Sequence, residues 1–179
     1  MDGFDFLGQN IRRYGNKLLI KPSNKSISNL LDKVRGIIKD NKAVTSGILI
    51  MMLNPVIRGW ANYHRHVVSK KVFAKVDHEI WKAIWNWAKR RHPNKSLGWV
   101  RAKYFAREGG NSWTFVGESR DGKKVTLFMA TYLPITRHIK IRKEFNPYDP
   151  TWKEYLRKRT VKSAVNLSII RAARPPGAL

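Results

Sequence analysis

Between Lys89 and Arg107 the chain places seven basic side chains, Lys89, Arg90, Arg91, Lys95, Arg101, Lys103 and Arg107, and no acid. Trp99, Tyr104 and Phe105 are interleaved among them. Ammonium and guanidinium groups neutralise phosphates, and rings beside them offer flat faces to unpaired bases, so the segment reads as a nucleic-acid surface. The ordinary use of helix-spaced aromatics is packing, and Trp81 and Trp85, four apart, fit that use. In Arg58-Gly59-Trp60-Ala61-Asn62-Tyr63-His64-Arg65-His66 the helical period puts Trp60, Tyr63, His64 and Val67 on one side and leaves Arg58, Asn62, Arg65 and His66 opposite or flanking. One face packs and the other binds. Arg58, Asn62, Arg65 and, one helix on, Lys82 therefore join the seven as candidate nucleic-acid-binding residues.

Other chemistries find little support. His64 and His66 are two apart on a helix and point roughly 200° away from one another, which is wrong for a shared metal ion. Asp77-His78-Glu79 fails as a carboxylate pair for the same reason, and a solvated or capping role is expected of it. The twelve acids include no adjacent pair, whereas two-metal phosphoryl transfer needs carboxylates clustered around cations about 4 Å apart. No GxxxxGK[ST] loop and no GxSxG elbow is present. The absence of cysteine removes disulfides, thiolate zinc sites and Cys nucleophiles together. The reading is a chain without enzymatic activity of its own, with no cofactor and no metal.

Composition points the same way. Thirty-six Lys and Arg stand against twelve Asp and Glu in 179 residues, a formal charge of +24 that calls for a polyanion. At 42% hydrophobic the chain still buries a core, so it is not a disordered basic tail. Its longest apolar run, Ile48 to Leu53, is far short of the roughly 20 residues of a spanning helix, and the acidic start is no signal peptide. No membrane partner is expected. The location implied is the cytoplasm or nucleoid, or an organelle if the source is eukaryotic.

The elements that must position these residues follow from periodicity. Phe4 to Ile20 reads as a β-hairpin about Gly15-Asn16, with an apolar strand at the very start that calls for an upstream partner. Ile27, Leu30, Leu31, Val34, Ile37 and Ile38 mark a first helix after Pro22-Ser23. A second runs from Thr45 to about Val68, with a kink or restart expected at Asn54-Pro55. A third, about Lys70 to Arg91, carries Phe73, Val76, Ile80, Ile84 and Trp87 on one side and ends at His92-Pro93-Asn94. A short helix through Trp99 and Tyr104 then gives way to a second hairpin about Asp121-Gly122, and another short helix begins near Thr151. The expected fold is mainly α: a three-helix, thumb-like bundle preceded by a β-hairpin and followed by a small α+β basic extension. The divisions are 1–21, 22–95, 96–159, and a poorly ordered tail at 160–179.

Leu53 to His66, LNPVIRGWANYHRH, with Phe73-x-x-x-Asp77, Trp81 and Arg91-His92-Pro93, resembles the maturase-specific domain of group II intron reverse transcriptases. GFDFLGQNIRRY resembles the last strand motif of that family's palm, and ITRHIKIRKEFNPYDPTWKEYLRKR the segment leading toward its nuclease, so the resemblance runs from Gly3 to Arg159. It implies a helical thumb that grips group II intron RNA, helps it fold for splicing, and guides template and primer in the full-length protein. It also implies target DNA as a partner of the region after the exit, for which Arg137, His138, Lys140, Arg142 and Lys143 are the candidate contacts. The YADD-type palm site and a Cys-bearing HNH nuclease are not in this sequence. The chain therefore reads as a C-terminal portion of such a protein. Its alternatives are a non-catalytic subunit of a split reverse transcriptase with fingers and palm on a separate chain, a general DNA-binding protein, and a nonfunctional fragment.

Primer extension by the purified chain should give no incorporation with Mg²⁺ or Mn²⁺, because no carboxylate cluster holds the cations between primer terminus and triphosphate. Incorporation that persists after contaminating polymerase is removed would overturn the non-enzymatic reading.

Overall fold

A computed structural model describes residues 3–108, 110–136, 144–146 and 148–159. The chain divides into two compact units, Met1–Ile135 and Thr136–Leu179. In the first, strands β1 (Phe4–Phe6), β2 (Gln9–Tyr14) and β3 (Lys17–Pro22) precede helices α1 (Asn24–Asp40), α2 (Ser46–His64), α3 (Lys70–Arg91) and α4 (Leu97–Tyr104). Strands β4 (Phe105–Glu108), β5 (Asn111–Glu118) and β6 (Lys124–Thr126) follow, with a 3-10 turn at Ala130–Tyr132. The fold is mainly helical with two small antiparallel sheets, ordered β1-β2-β3 and β4-β5-β6.

Each helix starts where a hydroxyl can take an orphan amide, α3 excepted. Ser23 accepts from Ser26 N at 3.1 Å, Thr45 from Ile48 N at 3.4 Å and Ser96 from Trp99 N at 3.2 Å. The apolar stripes then meet. Ile27, Leu30, Leu31, Val34 and Ile38 of α1 pack with Leu49, Ile50, Leu53 and Ile57 of α2 and with Val76, Ile80, Ile84 and Trp87 of α3. Val100, Tyr104, Phe105 and Phe115 complete the same core, so α4 and the second sheet are built onto the three long helices. The contact of α2 with β5 depends on glycine at both sides. A Cβ at Gly47 would stand 1.7 Å from the Glu118 carbonyl oxygen, and one at Gly117 would stand 2.4 Å from the Gly47 nitrogen.

Three local expectations are corrected. The first hairpin is a three-stranded meander, because Leu7-Gly8 makes a two-residue turn between Phe6 and Gln9 with φ of 47° and 74°. Two positive φ values in succession belong to a primed hairpin turn, for which Leu is a poor candidate by type. The Tyr63 hydroxyl donates to Leu7 O at 2.6 Å and holds the turn from outside. Next, α2 continues through Asn54-Pro55 without a restart. Pro55 leaves the Met51 carbonyl without its helical donor, at a residue that is exposed. Meanwhile Asn54 donates from Nδ2 to Thr126 O at 3.0 Å and accepts from Phe128 N at 2.7 Å, tying the middle of α2 to the strand end. Finally, the second hairpin gains a third strand, since Phe105 and Ala106 pair with Phe115 and Thr114.

The second unit is small. Asp149 caps the 3-10 turn Pro150–Trp152 by accepting from Thr151 N at 2.9 Å, and residues 153–159 continue as helix. Phe145, Trp152 and Tyr155 pack ring against ring at 5.4 to 5.8 Å. Glu154 accepts two bonds from Arg157, at 2.9 and 3.0 Å. The expectation of a poorly ordered tail at 160–179 lies outside the described residues.

One half-buried hydroxyl ties helices α1 and α2. Ser26 Oγ accepts from Trp60 Nε1 at 3.0 Å and is hydrogen-bonded to His64 Nε2 at 3.0 Å, while the Trp60 ring also meets Phe73 at 5.7 Å. His64 is fully buried, and burial, with His66 beside it, lowers its pKa from 6.5 to about 4. The folded chain refuses a proton that the unfolded chain takes up. Stability should therefore be complete above about pH 6.5 and fall by about 3 kcal/mol as the pH drops to about 4. Urea melts across that window check this, and His64→Gln should flatten the slope relative to the wild type. An unchanged slope would mean that His64 is not the group responsible.

Candidate nucleic-acid interface

Helices α1 and α3 lie side by side, joined by their apolar stripes and by Trp87, whose Nε1–H donates to Asn41 O at 3.2 Å. Their cationic edges consequently face each other across a groove of about 660 Å³. Arg35 and Lys39 on α1 and Lys42 just beyond it line one wall; Lys82, Arg90 and Arg91 on α3 line the other, and Glu79 is its only acid. The spacing explains much of the alignment: 35 and 39 fall on one edge of α1, 82, 86 and 90 on one edge of α3, and Lys42 follows in the connection after α1. Lys82 donates to Glu79 at 3.1 Å, a bond that holds this carboxyl below the usual carboxylate range. Arg35 reaches Glu79 and Asp32, both at 3.4 Å. Lys39, Lys42 and Arg90 form no ion pair among the described residues, so their charge is directed at solvent or a ligand.

The residues expected from sequence do not make one surface. Lys82, Arg90 and Arg91 line the groove. Arg91 is committed elsewhere: its guanidinium donates to the carbonyls of Lys42, Ala43 and Val44 and lies over Trp87 at 4.7 Å, so it anchors the α1–α2 connection. Lys89 is outside the groove and stands over Trp85 at 5.9 Å, and Arg101 lies over Trp113 at 4.5 Å. Lys95 and Lys103 flank the exposed Trp99 at 5.6 and 4.9 Å. His92 meets that ring at 4.8 Å and is hydrogen-bonded to the Tyr104 hydroxyl at 2.8 Å. Partial burial and then Lys103, Arg91 and Lys95 keep His92 below its ordinary pKa.

Farther off, Arg58 is half-buried over the Phe128 ring at 5.1 Å, Asn62 is exposed, Arg65 is half-buried at the end of α2, and Arg107 is exposed on β4. Tyr63, expected on the packing side, is exposed, because only its hydroxyl is needed, at Leu7. Arg137, His138, Lys140, Arg142 and Lys143 lie outside the described residues. Sequence reasoning missed Arg35, Lys39 and Lys42. The signal for Arg35 and Lys39 was their spacing beside the apolar stripe of α1, visible only when the polar face is read with the same period as the core face, whereas Lys42 lies past the helix end and had no such signal.

Asp77 serves as a clamp. Its carboxylate accepts from Ala130 N and Thr131 N at 2.9 Å each and from Thr131 Oγ1 at 2.7 Å. Burial raises its pKa, against the pull of those bonds and of Lys70. Lys70 in turn donates to Thr131 O at 2.6 Å and Leu133 O at 2.9 Å, so both ends of the 3-10 turn are fastened to α3. Among the described residues no three His, Asp or Glu side chains form a group able to hold a metal ion, and no helix is long and apolar enough to cross a membrane.

The family model described as the group II intron, maturase-specific domain matches residues 27–105. Over residues 27–105 this chain is similar to the maturase-specific domain. The matched stretch takes in nearly all of α1, the whole of α2, α3 and α4, and both walls of the groove. The ribosomal operon-associated A protein of Euglena longa is 29% identical over 115 residues, an alignment covering 64% of this chain and 22% of that protein. The chain thus spans about a fifth of the length of this curated relative.

The division of labour inside the groove is open to measurement. Arg91→Ala should cost about 1–2 kcal/mol in urea denaturation through the carbonyls it abandons, whereas Arg90→Ala should stay within about 0.5 kcal/mol of the wild type. Equal losses would remove the distinction between anchor and free cation.

Proposed function

We propose that this chain is an RNA-binding maturase module that binds and stabilises folded group II intron RNA through the groove between α1 and α3. The observation that carries the reading is a row of cations, three of them without an ion-pair partner among the described residues, along two helices of the stretch similar to the maturase-specific domain. Helices hold these charges at fixed spacing, so a phosphate backbone entering the groove meets cations whose conformational cost was met on folding. Each phosphate neutralised releases condensed counter-ions. Within a full-length family protein the three long helices act as the thumb, supporting reverse transcription and intron mobility, with target DNA bound by the region beyond. Nucleotide chemistry belongs to the palm of such a protein, and this chain contributes binding alone.

A second reading concerns the β1–β3 meander. Phe4, Phe6 and Leu18 share one face with Ile11 and Ile20 in the strand register, yet are 62%, 59% and 66% exposed. That face fits a separate fingers and palm chain, in which case the module is the thumb of a split reverse transcriptase.

Filter binding to a transcribed group II intron RNA across salt concentrations tests the main reading. Log affinity should fall linearly with log salt. Lys39→Glu, Lys42→Glu and Arg90→Glu together should weaken binding at least about tenfold and lower the slope by about 1 for each phosphate no longer neutralised. Reversal of the exposed Lys17, Arg120 and Lys123 should do much less. Equal losses would mean diffuse attraction by net charge, and equal affinity for duplex DNA would make the chain a general DNA-binding protein.

A further inference from the structure

Of the seven Trp side chains, six are buried or half-buried and one, Trp99, is exposed, at 39%. Its place follows from the way α4 sits on the domain. Val100 and Tyr104 turn into the core, and Trp99 and Lys103, four apart, are left together on the outer face. Packing gives no account of an indole there, since the buried side of α4 is already filled by Val100 and Tyr104. The residue is nevertheless held in place. Ser96 Oγ fixes the Trp99 amide at the start of the helix, and His92 makes the one ring contact that Trp99 has among the described residues, at 4.8 Å and 72°. No ring lies parallel to this indole, whereas Trp81 has His78 and Trp85 stacked beside it at 11° and 6°. What stands over the Trp99 ring instead is ammonium: Lys103 at 4.9 Å and Lys95 at 5.6 Å, neither of them in an ion pair among the described residues. A lysine gives up only a weak contact when its flexible stem swings off an exposed ring.

The neighbours of the ring connect it to the groove. His92 Nε2 is hydrogen-bonded to the Tyr104 hydroxyl at 2.8 Å, and the Tyr104 ring meets those of His92 and Trp87 at 5.6 Å each. Trp87 in turn lines the groove between α1 and α3, beside Arg90 and Arg91. Three ring contacts, Trp99 to His92 to Tyr104 to Trp87, therefore run from the exposed indole to the phosphate-binding groove. An unpaired nucleotide has the parts that match: a flat base, with a phosphate on each side of it. We propose that Trp99 is a stacking platform for one unpaired base of the bound RNA, with Lys95 and Lys103 turning off the ring to the phosphates that flank that nucleotide. The inference rests on the RNA-binding reading above and adds to its grip on the backbone a contact that tells single-stranded from paired RNA. A membrane surface is the other common partner of exposed Trp and Lys, but it requires a helix with its apolar face turned outward, and that of α4 is in the core.

Two variants and a mapping experiment test it. Trp99→Leu removes the flat ring while keeping an apolar side chain that suits a helix, and Trp99→Phe keeps a ring. Both should melt close to the wild-type temperature, because the position is exposed. The probes are a group II intron RNA, an RNA hairpin with a single-stranded tail, and a blunt RNA duplex of the same length as that hairpin. Trp99→Leu should bind the intron RNA and the tailed hairpin at least about fivefold more weakly than the wild type and the blunt duplex equally well, and Trp99→Phe should recover most of the loss. The salt slope should equal the wild type's, because Lys95 and Lys103 are untouched. Ultraviolet crosslinking to the intron RNA followed by trypsin should mark the peptide of residues 96–101, and Trp99→Leu should remove that mark. If the wild type binds intron RNA with a steep salt slope while Trp99→Leu binds every probe as tightly, the platform is refuted and the groove reading stands. If the wild type shows no salt-dependent RNA binding, the groove reading fails first and the platform that rests on it falls too. Equal losses on the tailed hairpin and the blunt duplex would make Trp99 a structural residue and overturn the proposal. Weaker binding of phosphatidylglycerol vesicles by Trp99→Leu, with RNA affinity unchanged, would overturn it in favour of a membrane surface.

Discussion

The buried stripe Phe73, Val76, Ile80, Ile84 and Trp87 holds α3 in the middle of the first unit, and every other feature is oriented by it. With that stripe fixed, helical geometry decides which cations of α3 can act together. Lys82 and Arg90 turn toward α1, Lys89 stays on the crest, and Trp81 and Trp85 turn toward β5. Burial of a core side chain stabilises by about 1.5–3 kcal/mol, several times what an exposed ion pair contributes. The positions of the charges are therefore a consequence of apolar packing, and repulsion among them is tolerated.

Repulsion is also managed locally. With +24 on the chain, twelve acids have to be used economically. Glu79 serves Lys82 and Arg35 at once, Glu108 takes Lys124, and Asp77 gives its carboxylate to two amides and a hydroxyl while Lys70 takes nearby carbonyls. Aromatic faces do part of the remaining work, since Arg58, Arg91, Arg101 and Lys103 each lie over a ring. Such interactions contribute roughly 0.5–1 kcal/mol at exposed sites and leave the outer edge of the cation accessible.

Much of this was legible in the sequence. The three long helices and most of their core residues follow from the 3.6-residue period, and the structure differs by only a residue or two at most boundaries. What escaped reading was set by partners distant in the chain. Nothing in Leu7-Gly8 by type announces a tight turn, because its hold comes from Tyr63 and from the bond of Ser23 N to Gly8 O. The continuity of α2 through Pro55 depends on Asn54 finding Thr126 and Phe128. The site was half legible. The basic run at the exit of α3 is conspicuous in composition, but a helix scatters such a run around its axis, and the cations that complete the groove come from α1 and the loop after it, with all of α2 lying between in the chain. Composition locates charge along the chain, whereas only packing brings charges from different helices to one place.

The close approach of Gly47 and Gly117 bears on where this protein can be divided. Gly47 is inside the stretch matched by the maturase-specific model, and Gly117 is twelve residues beyond its end. Two backbones that touch without side chains between them cannot be separated without opening a seam, and Phe115, on the same strand, is 2% exposed within the shared core. A graft of 27–105 alone into another host would carry an unfilled hollow and a helix start with no neighbour. Recombination or transplantation would have to carry the β5–β6 hairpin along, so the packed unit is larger than the stretch that similarity outlines.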